Sequence, residues 1–526
     1  MAGSTMSAST EPRVSAVAAS PTVDADLAWP LQRAAETAGN AVAVVDGATR
    51  LTYREFLERC RCIANGVRQH GVVPGDRVAV LGANSAAYLA AYFAIPAAGF
   101  VFVPLNGRLA DAELTAVIED CAPALLVVDD ENAGRGGRLV GQDFPVTTFA
   151  DLTRPPAADD GPPVTSADDL ATIFYTGGST GRAKGVMLSH RNLTANSLHM
   201  IAGLGYRSDD VYLHCAPMFH LGDGMSTYPL TWVGARHVVI PRFDAAAVVA
   251  AIESERVTCT FLVPTMLTLV LEHLSELSVP PDLSSLRLIV HGGAPIASSL
   301  LERAMLQLGC SFTQTYGMTE AGPILSFLPR EEEHLGEDVL RSAGQPVVGV
   351  QVRVVRADGE ECAVGEVGEI VARGPNVSAG YWRQPELTRE RFRDGWYRSG
   401  DLAYTDHTSH LYIVGRAGEV IISGGENVYA AEVEAALTSH DDVVEAAVIA
   451  VPSPRWGEQV HAAVVVRQGA SIGPGDLDRH CRALIAGYKV PRSYEFHPVL
   501  PRTGAEKIDK SALRAPHWAG AGRGVS

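Results

Sequence analysis

The chain has 526 residues, of which 47% are hydrophobic and 20% charged, and its formal net charge is −17. This length predicts two or more domains, and this composition is typical of a soluble globular protein. The excess of acidic residues argues against a nucleic-acid-binding protein, which would present a basic surface. It does not argue against a nucleotide ligand, because backbone N–H groups can hold a small phosphate.

Residues 1–23 are rich in Ser, Thr and Ala and lack the charged-then-apolar order of a secretory signal, so we interpret them as a disordered tail. The apolar run that comes nearest to the length of a membrane span is broken by Pro96 and Gly99, and we expect no integral membrane segment. The eight cysteines are scattered, and the closest pair, Cys60 and Cys62, has neither zinc-ligand nor redox spacing. We therefore predict reduced thiols in a cytoplasmic protein.

The first clear helix is predicted to begin with a capping box, Thr52 to Glu55, and to end at Gly71. A short apolar strand, an apolar helix and a second strand follow within residues 76–105. Strands and helical segments continue to alternate up to about residue 292. Continuous apolar strands separated by helices indicate an α/β fold, with parallel-rich sheets covered by helices on both faces.

After about Gly344 the pattern changes to alternating strands with turn glycines, which predicts a β-rich subdomain. After the segment "GRAGEV" the sequence predicts a compact unit built from a helix, two strands and a second helix. We therefore predict a large N-terminal domain over residues 24–416 and a small, mobile α+β domain over residues 417–526.

Only four lysines occur in the chain, and the first, Lys184, lies in a glycine-rich loop after a predicted strand. The small and hydroxyl-bearing residues of this loop are Thr176, Gly177, Gly178, Ser179, Thr180 and Gly181. Glycine lets the backbone approach a phosphate closely, hydroxyls donate hydrogen bonds and a lysine adds a positive charge. The spacing is not that of a Walker loop, because Ala183 precedes the lysine. By itself, such a loop fits a plain surface turn equally well.

The order of short motifs along the chain is more specific than any one of them. The motifs are "YTGGSTGRAKGV" (175–186), "PMFH" (217–220), "HGGAP" (291–295), "YGMTE" (316–320), "YRSGDLA" (397–403), "GRAGEVIISGGENVYAAEVE" (415–434) and "PRTGAEKIDK" (501–510). This series resembles the adenylate-forming (AMP-binding) superfamily of acyl-CoA synthetases, non-ribosomal adenylation domains and firefly luciferase. The resemblance begins near residue 28, covers nearly all of the chain after it and is strongest to fatty- and aryl-acid CoA ligases.

The resemblance implies two half-reactions. ATP and a carboxylic acid first form an acyl-adenylate and pyrophosphate, with Mg²⁺ as cofactor, and a thiol, usually coenzyme A, then displaces AMP. Attack of a carboxylate on the α-phosphate builds negative charge on phosphate oxygens, so positioning and cationic stabilisation are expected to supply most of the rate. The expected partners are a small-molecule fatty or aryl acid, ATP and coenzyme A, and the resemblance also allows a homodimer.

The resemblance also implies the catalytic groups. Lys507 corresponds to the lysine that contacts the acid carboxylate and the α-phosphate during adenylation. Thr319 would hydrogen-bond the α-phosphate, and Glu320 would be the Mg²⁺ ligand, since this hard cation prefers oxygen donors. His220 would lie beside the carboxylate of the acid.

The remaining implied contacts are with the nucleotide. The glycine-rich loop with Lys184 would cover the β- and γ-phosphates, Tyr316 would stack on adenine, and Asp401 would accept both ribose hydroxyls. Arg416 would contact ribose or phosphate. The residues implied in nucleotide binding outside the loop are Gly293, Ala294, Pro295, Tyr316, Gly317, Thr319, Asp401, Arg416 and Lys507.

Several of these residues also have ordinary structural interpretations. Asp401 on its own would be a turn residue, and Thr319 with Glu320 would be a helix N-cap and first turn. His220 on its own fits a structural role equally well. We interpret Asp223, in the region expected to line the acid pocket, as a helix cap, and the alternative is that it recognises a polar group of the substrate.

Two positions depart from the usual family pattern. Glu506 stands before Lys507 where glycine is usual, and its carboxylate would compete with phosphate for the lysine. Gly418 stands at the hinge position where Asp or Lys is usual, which keeps rotation but removes a preferred stop. We interpret Lys510 as a solvated surface charge, and no metal-binding cluster or Ser-His-Asp arrangement is visible in the sequence.

Three functions are therefore weighed: an acid–CoA ligase, an adenylating ligase that passes the acyl group to an amine or a carrier-protein thiol, and a nucleotide-binding protein without catalysis. The third is disfavoured because Lys507, Glu320, Asp401 and Arg416 are all present. The segments after His220 and over residues 261–270 are mainly apolar, which predicts a pocket for a medium or long acyl chain or a flat aryl acid.

Overall fold

The computed structural model describes residues 26–141, 143–154, 166–177, 183–294, 296, 298–328, 339, 341–503 and 507–518. The predicted tail lies outside these ranges, as do the candidate residues Gly178, Ser179, Thr180, Gly181, Pro295 and Glu506.

The described strands are β1 (Val42–Asp46), β2 (Thr49–Thr52), β3 (Arg77–Leu81), β4 (Val101–Pro104), β5 (Leu125–Val128), β6 (Val146–Thr148), β7 (Leu170–Thr176), β8 (Lys184–Ser189), β9 (Val211–His214), β10 (Arg236–Val239), β11 (Cys259–Phe261), β12 (Leu288–Gly292), β13 (Ser311–Gly317), β14 (Ile324–Phe327), β15 (Gln345–Pro346), β16 (Gln351–Val355), β17 (Gly368–Arg373), β18 (Gly380–Tyr381), β19 (Phe392–Arg393), β20 (Trp396–Thr405), β21 (Leu411–Arg416), β22 (Ile421–Ser423), β23 (Glu426–Val428), β24 (Val443–Ser453), β25 (Gly457–Val466) and β26 (Ser493–Phe496).

The described α-helices are α1 (Trp29–Thr37), α2 (Tyr53–Gln69), α3 (Ala86–Ala97), α4 (Asp111–Cys121), α5 (Ala133–Val140), α6 (Phe149–Leu152), α7 (His190–Leu204), α8 (Leu221–Gly224), α9 (Thr227–Val233), α10 (Ala245–Glu255), α11 (Pro264–Glu276), α12 (Ser298–Leu308), α13 (Pro385–Arg391), α14 (Ala430–Thr438), α15 (Pro474–Leu484) and α16 (Lys510–Trp518).

Two mixed sheets form the centre of the N-terminal part. One has the strand order β15-β14-β13-β12-β11-β9-β10-β1-β2, and the other has the order β18-β8-β7-β4-β3-β5-β6. In both, the inner strands run parallel; antiparallel strands complete both edges of the first sheet and the β8–β18 edge of the second, whose other edge strand, β6, is parallel to β5. The inner strands are buried and apolar because helices cover them. The predicted α/β class is confirmed.

The capping box predicted for the second helix is present. The hydroxyl of Thr52 accepts a hydrogen bond from the backbone N–H of Glu55, and the Glu55 carboxylate accepts one from the backbone N–H of Thr52. These bonds satisfy donors that the first turn of a helix leaves unpaired. The helix then buries Phe56 and Ile63 against the core that it shares with α3.

Antiparallel strands follow Gly344, as the sequence predicts. β16, β17, β20, β19 and β21 form one sheet that ends at Arg416. β22 to β26 then form a separate sheet whose strand order is β23-β22-β25-β24, with β26 parallel to β25. Helices α14 and α15 share a core with this last sheet, so the smaller C-terminal domain that the sequence predicts is confirmed.

Among the described residues, no helix combines the length and the apolar character that crossing a membrane requires.

Candidate active site

The glycine-rich loop closes an antiparallel hairpin. Thr176, the last residue of β7, pairs with Lys184, the first residue of β8, and Gly177 follows Thr176. A Walker loop leads into a helix instead, where the helix N-terminus faces the phosphate. Here the loop leads into a strand, so its lysine is held as the first residue of β8.

Tyr381 connects Lys184 with Glu320. The Lys184 ammonium lies over the ring of Tyr381, with Nζ 5.7 Å from the ring centroid. The hydroxyl of Tyr381 donates a 2.8 Å hydrogen bond to Oε1 of Glu320. Burial and the charge of Glu320 raise the pKa of Tyr381. No motif in the sequence singles out Tyr381, because it lies on β18, which pairs with β8 although the two strands are far apart along the chain.

Glu320 and Thr319 lie in a short 3₁₀ turn after β13, and Thr319 is buried. This turn differs from the helix start that the ordinary structural interpretation requires. It places the two oxygen-bearing side chains between the hairpin of the glycine-rich loop and the strands that carry Tyr316 and Asp401.

Asp401 is at the centre of a second group of hydrogen-bonded side chains. It pairs in register with Arg416 across β20 and β21, and Nε of Arg416 donates to its Oδ1 at 3.1 Å. The hydroxyl of Tyr316 donates to Oδ2 at 2.8 Å. Asp401 is 7% exposed and lies within a strand, so its interpretation as a turn residue is wrong. The hydrogen bond also fixes the orientation of the Tyr316 ring.

Backbone packing requires small residues beside these groups. A Cβ at Gly292 would lie 2.5 Å from the carbonyl oxygen of Thr315, and a Cβ at Gly317 would lie 1.9 Å from that of Pro323. Gly293 has a φ of 77°, which disfavours other residues, and Ala294 beside it is exposed. The close backbone packing around the ends of β12 and β13 therefore explains these glycines.

His220 is held as a neutral hydrogen-bond donor. It caps α8, and its Nδ1 accepts a 3.0 Å hydrogen bond from the backbone N–H of Gly222. Burial and the charge of Lys507 lower the pKa of His220 to about 4. Because Nδ1 accepts, the ring proton of the neutral imidazole lies on Nε2, which can donate to a carboxylate oxygen.

We expect His220 to stay neutral as the pH falls from about 8 to about 5.5, where an ordinary histidine with a pKa of about 6.5 would become charged. Ring ¹⁵N chemical shifts measured across this range test the expectation. Lys507→Gln should raise the pKa of His220, because a neighbouring positive charge is removed. Titration of His220 near pH 6.5 in the unaltered protein would contradict the assignment.

Lys507 brings the C-terminal part of the chain to the site. It lies in a loop in which Arg502 and Ile508 form a β-bridge, and its side chain is exposed. Desolvation by the surrounding protein and the charge of Arg416 lower the pKa of Lys507, and Asp401 and Glu320 oppose this effect. The charge of Lys507 also lowers the pKa of His220. The pKa of Lys507 is therefore sensitive to Arg416, Asp401 and Glu320, three of the groups that the sequence predicts at the nucleotide site.

Two other lysines are paired within the C-terminal part. Nζ of Lys510 lies 2.7 Å from the Glu434 carboxylate and 3.6 Å from that of Glu419, and its side chain is 20% exposed. The interpretation of Lys510 as a solvated surface charge is therefore wrong. Lys489 donates to both carboxylate oxygens of Glu432.

Asp223 belongs to a buried network and does not cap a helix. Its Oδ1 accepts a 3.0 Å hydrogen bond from Nδ1 of His214 and a 3.2 Å hydrogen bond from the hydroxyl of Tyr212. The other ring nitrogen of His214 lies 2.9 Å from Nδ1 of His237. The interpretation of Asp223 as a helix cap is wrong, because the N-cap of α8 is His220.

This fold and this arrangement of groups match a known family. The AMP-binding enzyme family matches residues 31–382, and the AMP-binding enzyme C-terminal domain matches residues 432–507. The chain therefore belongs to the AMP-binding, adenylate-forming enzymes, as its motifs predict.

Individual relatives make the class more specific. Feruloyl-CoA synthase of Amycolatopsis sp is 44% identical over 489 residues, which cover 92% of this chain and 98% of that protein. The 2-succinylbenzoate–CoA ligase of Bacillus mycoides (strain KBAB4) is 35% identical over 487 residues, with 92% and 98% covered. The chain is an AMP-forming acid–CoA ligase, which activates a carboxylic acid as the acyl-adenylate and then forms the coenzyme A thioester.

A solved relative has the same fold. The o-succinylbenzoate CoA synthetase of Bacillus subtilis, in complex with its acyl-adenylate intermediate, superimposes with a TM-score of 0.84 at 30% identity. The match covers 92% of this chain and 97% of that one. The same enzyme in complex with ATP and magnesium ion superimposes with a TM-score of 0.82 at 29% identity, covering 91% and 98%.

Proposed function

We propose that the acid is an aryl acid of the hydroxycinnamic class, such as ferulic acid. The observation that carries this proposal is the 44% identity to feruloyl-CoA synthase, which extends over 98% of that enzyme. The apolar character of the pocket segments also fits a flat aromatic ring. The ring hydroxyl of such an acid would need a hydrogen-bond partner within this otherwise apolar slot.

In this proposal the nucleotide is held from two sides. Asp401 accepts the ribose hydroxyls, Tyr316 lies against adenine, and Arg416 neutralises charge near the ribose and the phosphates. On the other side Thr176, Gly177 and Lys184 face the β- and γ-phosphates. The measured contacts of Asp401 with Tyr316 and Arg416 support this arrangement, because they hold its carboxylate in one orientation.

We propose Glu320 as a ligand of Mg²⁺. The residues fit this ion, because Mg²⁺ in nucleotide sites is bound by one or two carboxylates and the substrate phosphates. The Tyr381 hydroxyl donates a 2.8 Å hydrogen bond to Oε1 of Glu320 and so orients the carboxylate. When bound, the ion would neutralise charge on the phosphates. The protein's own contribution is to hold Lys184 over the ring of Tyr381 and Glu320 at the hydroxyl of the same residue.

Adenylation then follows from the cationic and hydrogen-bonding groups. The acid carboxylate attacks the α-phosphorus, the bond to the pyrophosphate oxygen breaks, and pyrophosphate leaves. Lys507 neutralises charge on the carboxylate and the α-phosphate, Thr319 donates to the α-phosphate, and His220 donates from Nε2 to the carboxylate. All three groups act by positioning and by electrostatic stabilisation.

We propose that residues 417–526 rotate for the thioester step. The boundary falls between β21, which ends at Arg416, and β22, and Gly418 lies in the short 3₁₀ turn between them. After rotation the hairpin of β22 and β23 would face the thiol entrance. Its turn residues Gly424 and Gly425 have φ values of 64° and 88°, which fits a two-residue hairpin turn.

We expect pyrophosphate release to require an added acid and Mg²⁺, and to be fastest with hydroxycinnamic acids in a panel that also contains benzoic, succinylbenzoic and long-chain fatty acids. Pyrophosphate release, detected as phosphate after hydrolysis, measures the first half-reaction. The absorbance of the thioester product measures the second. Equal rates with and without acid would contradict the mechanism. A preference for fatty acids would overturn the choice of substrate while leaving the ligase reaction intact.

The choice of acceptor is tested in the same assay. Coenzyme A should yield a thioester and AMP in equal amounts. When an amine or a carrier-protein thiol replaces coenzyme A, no acyl product should form. A cytoplasmic location and a homodimer stay predictions of the sequence, and we propose both for the intact enzyme.

A further inference from the structure

A cluster of three histidines and one glutamate lies on the C-terminal sheet, away from the nucleotide site. It consists of His461, Glu495, His497 and His517, and we call it the histidine–glutamate cluster. His461 on β25 pairs in register with Ser493 on β26. Because side chains alternate along a strand, Glu495 and His497 follow Ser493 on the same side. α16 places His517 over that side.

The ring nitrogens converge on a single carboxylate. Nε2 of His461 and Nε2 of His517 lie 3.7 Å and 3.9 Å from Oε2 of Glu495. Nε2 of His497 lies 3.6 Å from Oε1 of the same residue. The ligand atoms of His461, Glu495 and His517 all lie within 4.8 Å of one another. Among the described residues, no other group of three such side chains meets this distance.

Two of these nitrogens are buried without a hydrogen-bond partner. They are Nε2 of His461 and Nε2 of His497, and His461 is 5% exposed. A buried polar atom without a partner is costly. On its other side the His461 ring is satisfied, because Nδ1 lies 2.8 Å from the hydroxyl of Ser493. A hydrogen bond at Nδ1 is the usual support of a histidine that binds metal through Nε2.

We propose that the histidine–glutamate cluster binds a zinc ion or a similar divalent transition-metal ion. Zinc prefers imidazole nitrogen and carboxylate oxygen at about 2.0–2.2 Å, which for tetrahedral ligation separates ligand atoms by about 3.3 Å. The Nε2 atoms of His461 and His517 lie 3.7 Å and 3.9 Å from Oε2 of Glu495, and the ligand atoms of these three residues are within 4.8 Å of one another, so a bound ion would draw them together by a modest amount. His461, Glu495 and His517 supply three ligands, and the fourth position of a tetrahedral ion is left for water or for His497, whose Nε2 lies 3.6 Å from Oε1 of Glu495.

Simple ion pairing between Glu495 and charged histidines explains the cluster less well. Each nitrogen–oxygen separation exceeds 3.5 Å, which is too long for a hydrogen bond. Burial and the neighbouring His517 and His497 lower the pKa of His461, and Glu495 opposes this effect. A neutral imidazole is the form that binds metal.

The ion would fasten the last described helix to the sheet. The indole N–H of Trp518 already donates to the carbonyl oxygen of Ala450 at 2.9 Å, which holds the end of α16 in place. His517 is adjacent to this anchor. Because α16 begins three residues after Lys507, an ion at the cluster would stabilise the helix that follows the candidate catalytic lysine.

The test uses the full-length chain without a polyhistidine tag, freed of metal by a chelator and with no nucleotide present. Zn²⁺ binding is measured by calorimetry, and Co²⁺ binding by the visible absorption of tetrahedral cobalt. His517→Gln and Glu495→Gln each remove one ligand, the first at a partly exposed position and the second at an exposed one. His480→Gln is the matched control, because Nε2 of His480 already bonds Ser439 and the carbonyl oxygen of Ala436.

We expect one ion per chain, tetrahedral cobalt bands, and a rise in Tm when Zn²⁺ is added to the unaltered protein and to His480→Gln. His517→Gln and Glu495→Gln should lose the bands and bind at least about tenfold more weakly. Ser493→Ala should keep the bands and weaken binding by about 10–100-fold. Absence of binding, or bands that persist in both ligand variants, would overturn the proposal, and neither result would bear on acid–CoA ligation.

Discussion

Replacing Lys507 with alanine should slow acyl-adenylate formation by about 100- to 1,000-fold, the usual effect of removing one group that stabilises transition-state charge. Lys507 interacts with Arg416, Asp401, Glu320 and His220 in the described conformation. In the proposed mechanism its ammonium neutralises the charge that grows on the carboxylate and the α-phosphate. kcat and kcat/KM should fall together, because the lost contact is made only in the transition state. Single-turnover pyrophosphate release measures the effect.

The second half-reaction provides the internal comparison for this variant. Given pre-formed acyl-adenylate and coenzyme A, Lys507→Ala should keep most of its thioester formation, since rotation of the C-terminal part moves the lysine away. Lys489→Ala is the matched control, because it removes a lysine of the same part that pairs with Glu432. Equal damage to both half-reactions, or to neither, would show that the lysine or the rotation is wrongly assigned.

Replacing Asp401 with alanine should raise the KM for ATP by about 10- to 100-fold or more. Each hydrogen bond to a charged acceptor contributes about 1.5–3 kcal/mol, and about 1.4 kcal/mol corresponds to a factor of ten. Asp401 would lose its bonds to ribose as well as those that orient Tyr316 and Arg416. Initial rates at varied ATP, with acid held saturating, measure the change.

Asp401→Ala also leaves Arg416 without its partner, so its Tm should be measured beside its kinetics. Asp358→Asn is a matched control in the same β-rich subdomain, where the carboxylate accepts a turn hydrogen bond from the backbone of Glu360. An unchanged KM for ATP in Asp401→Ala, with its Tm also unchanged, would remove Asp401 from the nucleotide site.

Much of the fold follows from local patterns in the sequence. The capping box at Thr52 and the apolar strands over residues 76–105 predict their own elements, because the interactions that form them are short-range. The change of pattern near Gly344 likewise predicts the β-rich part. Motif order gave the family, since each motif lies at a turn or strand end that the fold brings to one site.

The wrong and missing assignments concern contacts between distant parts of the chain. Asp223 has the local pattern of a helix cap, but its partner His214 lies on β9. The sequence around Lys510 predicts a solvated side chain, but in the structure Glu434 forms an ion pair with it. Tyr381 and the histidine–glutamate cluster carry no short motif, because their members come from separate strands and helices. Such pairings depend on tertiary packing, which periodicity does not reveal.

The pairing of β18 with β8 has a consequence for how the enzyme is made. β8 carries Lys184, and the two-residue strand that completes its edge and supplies Tyr381 is synthesised far later. Contacts between sequence-distant segments form slowly, because loop-closure entropy must be overcome first. A growing chain can fold its inner parallel strands early, but the phosphate side of the catalytic centre is completed only once residues 380 and 381 have emerged and docked. In the proposed site, nucleotide binding is therefore gained late in folding, after most of the N-terminal part has been synthesised.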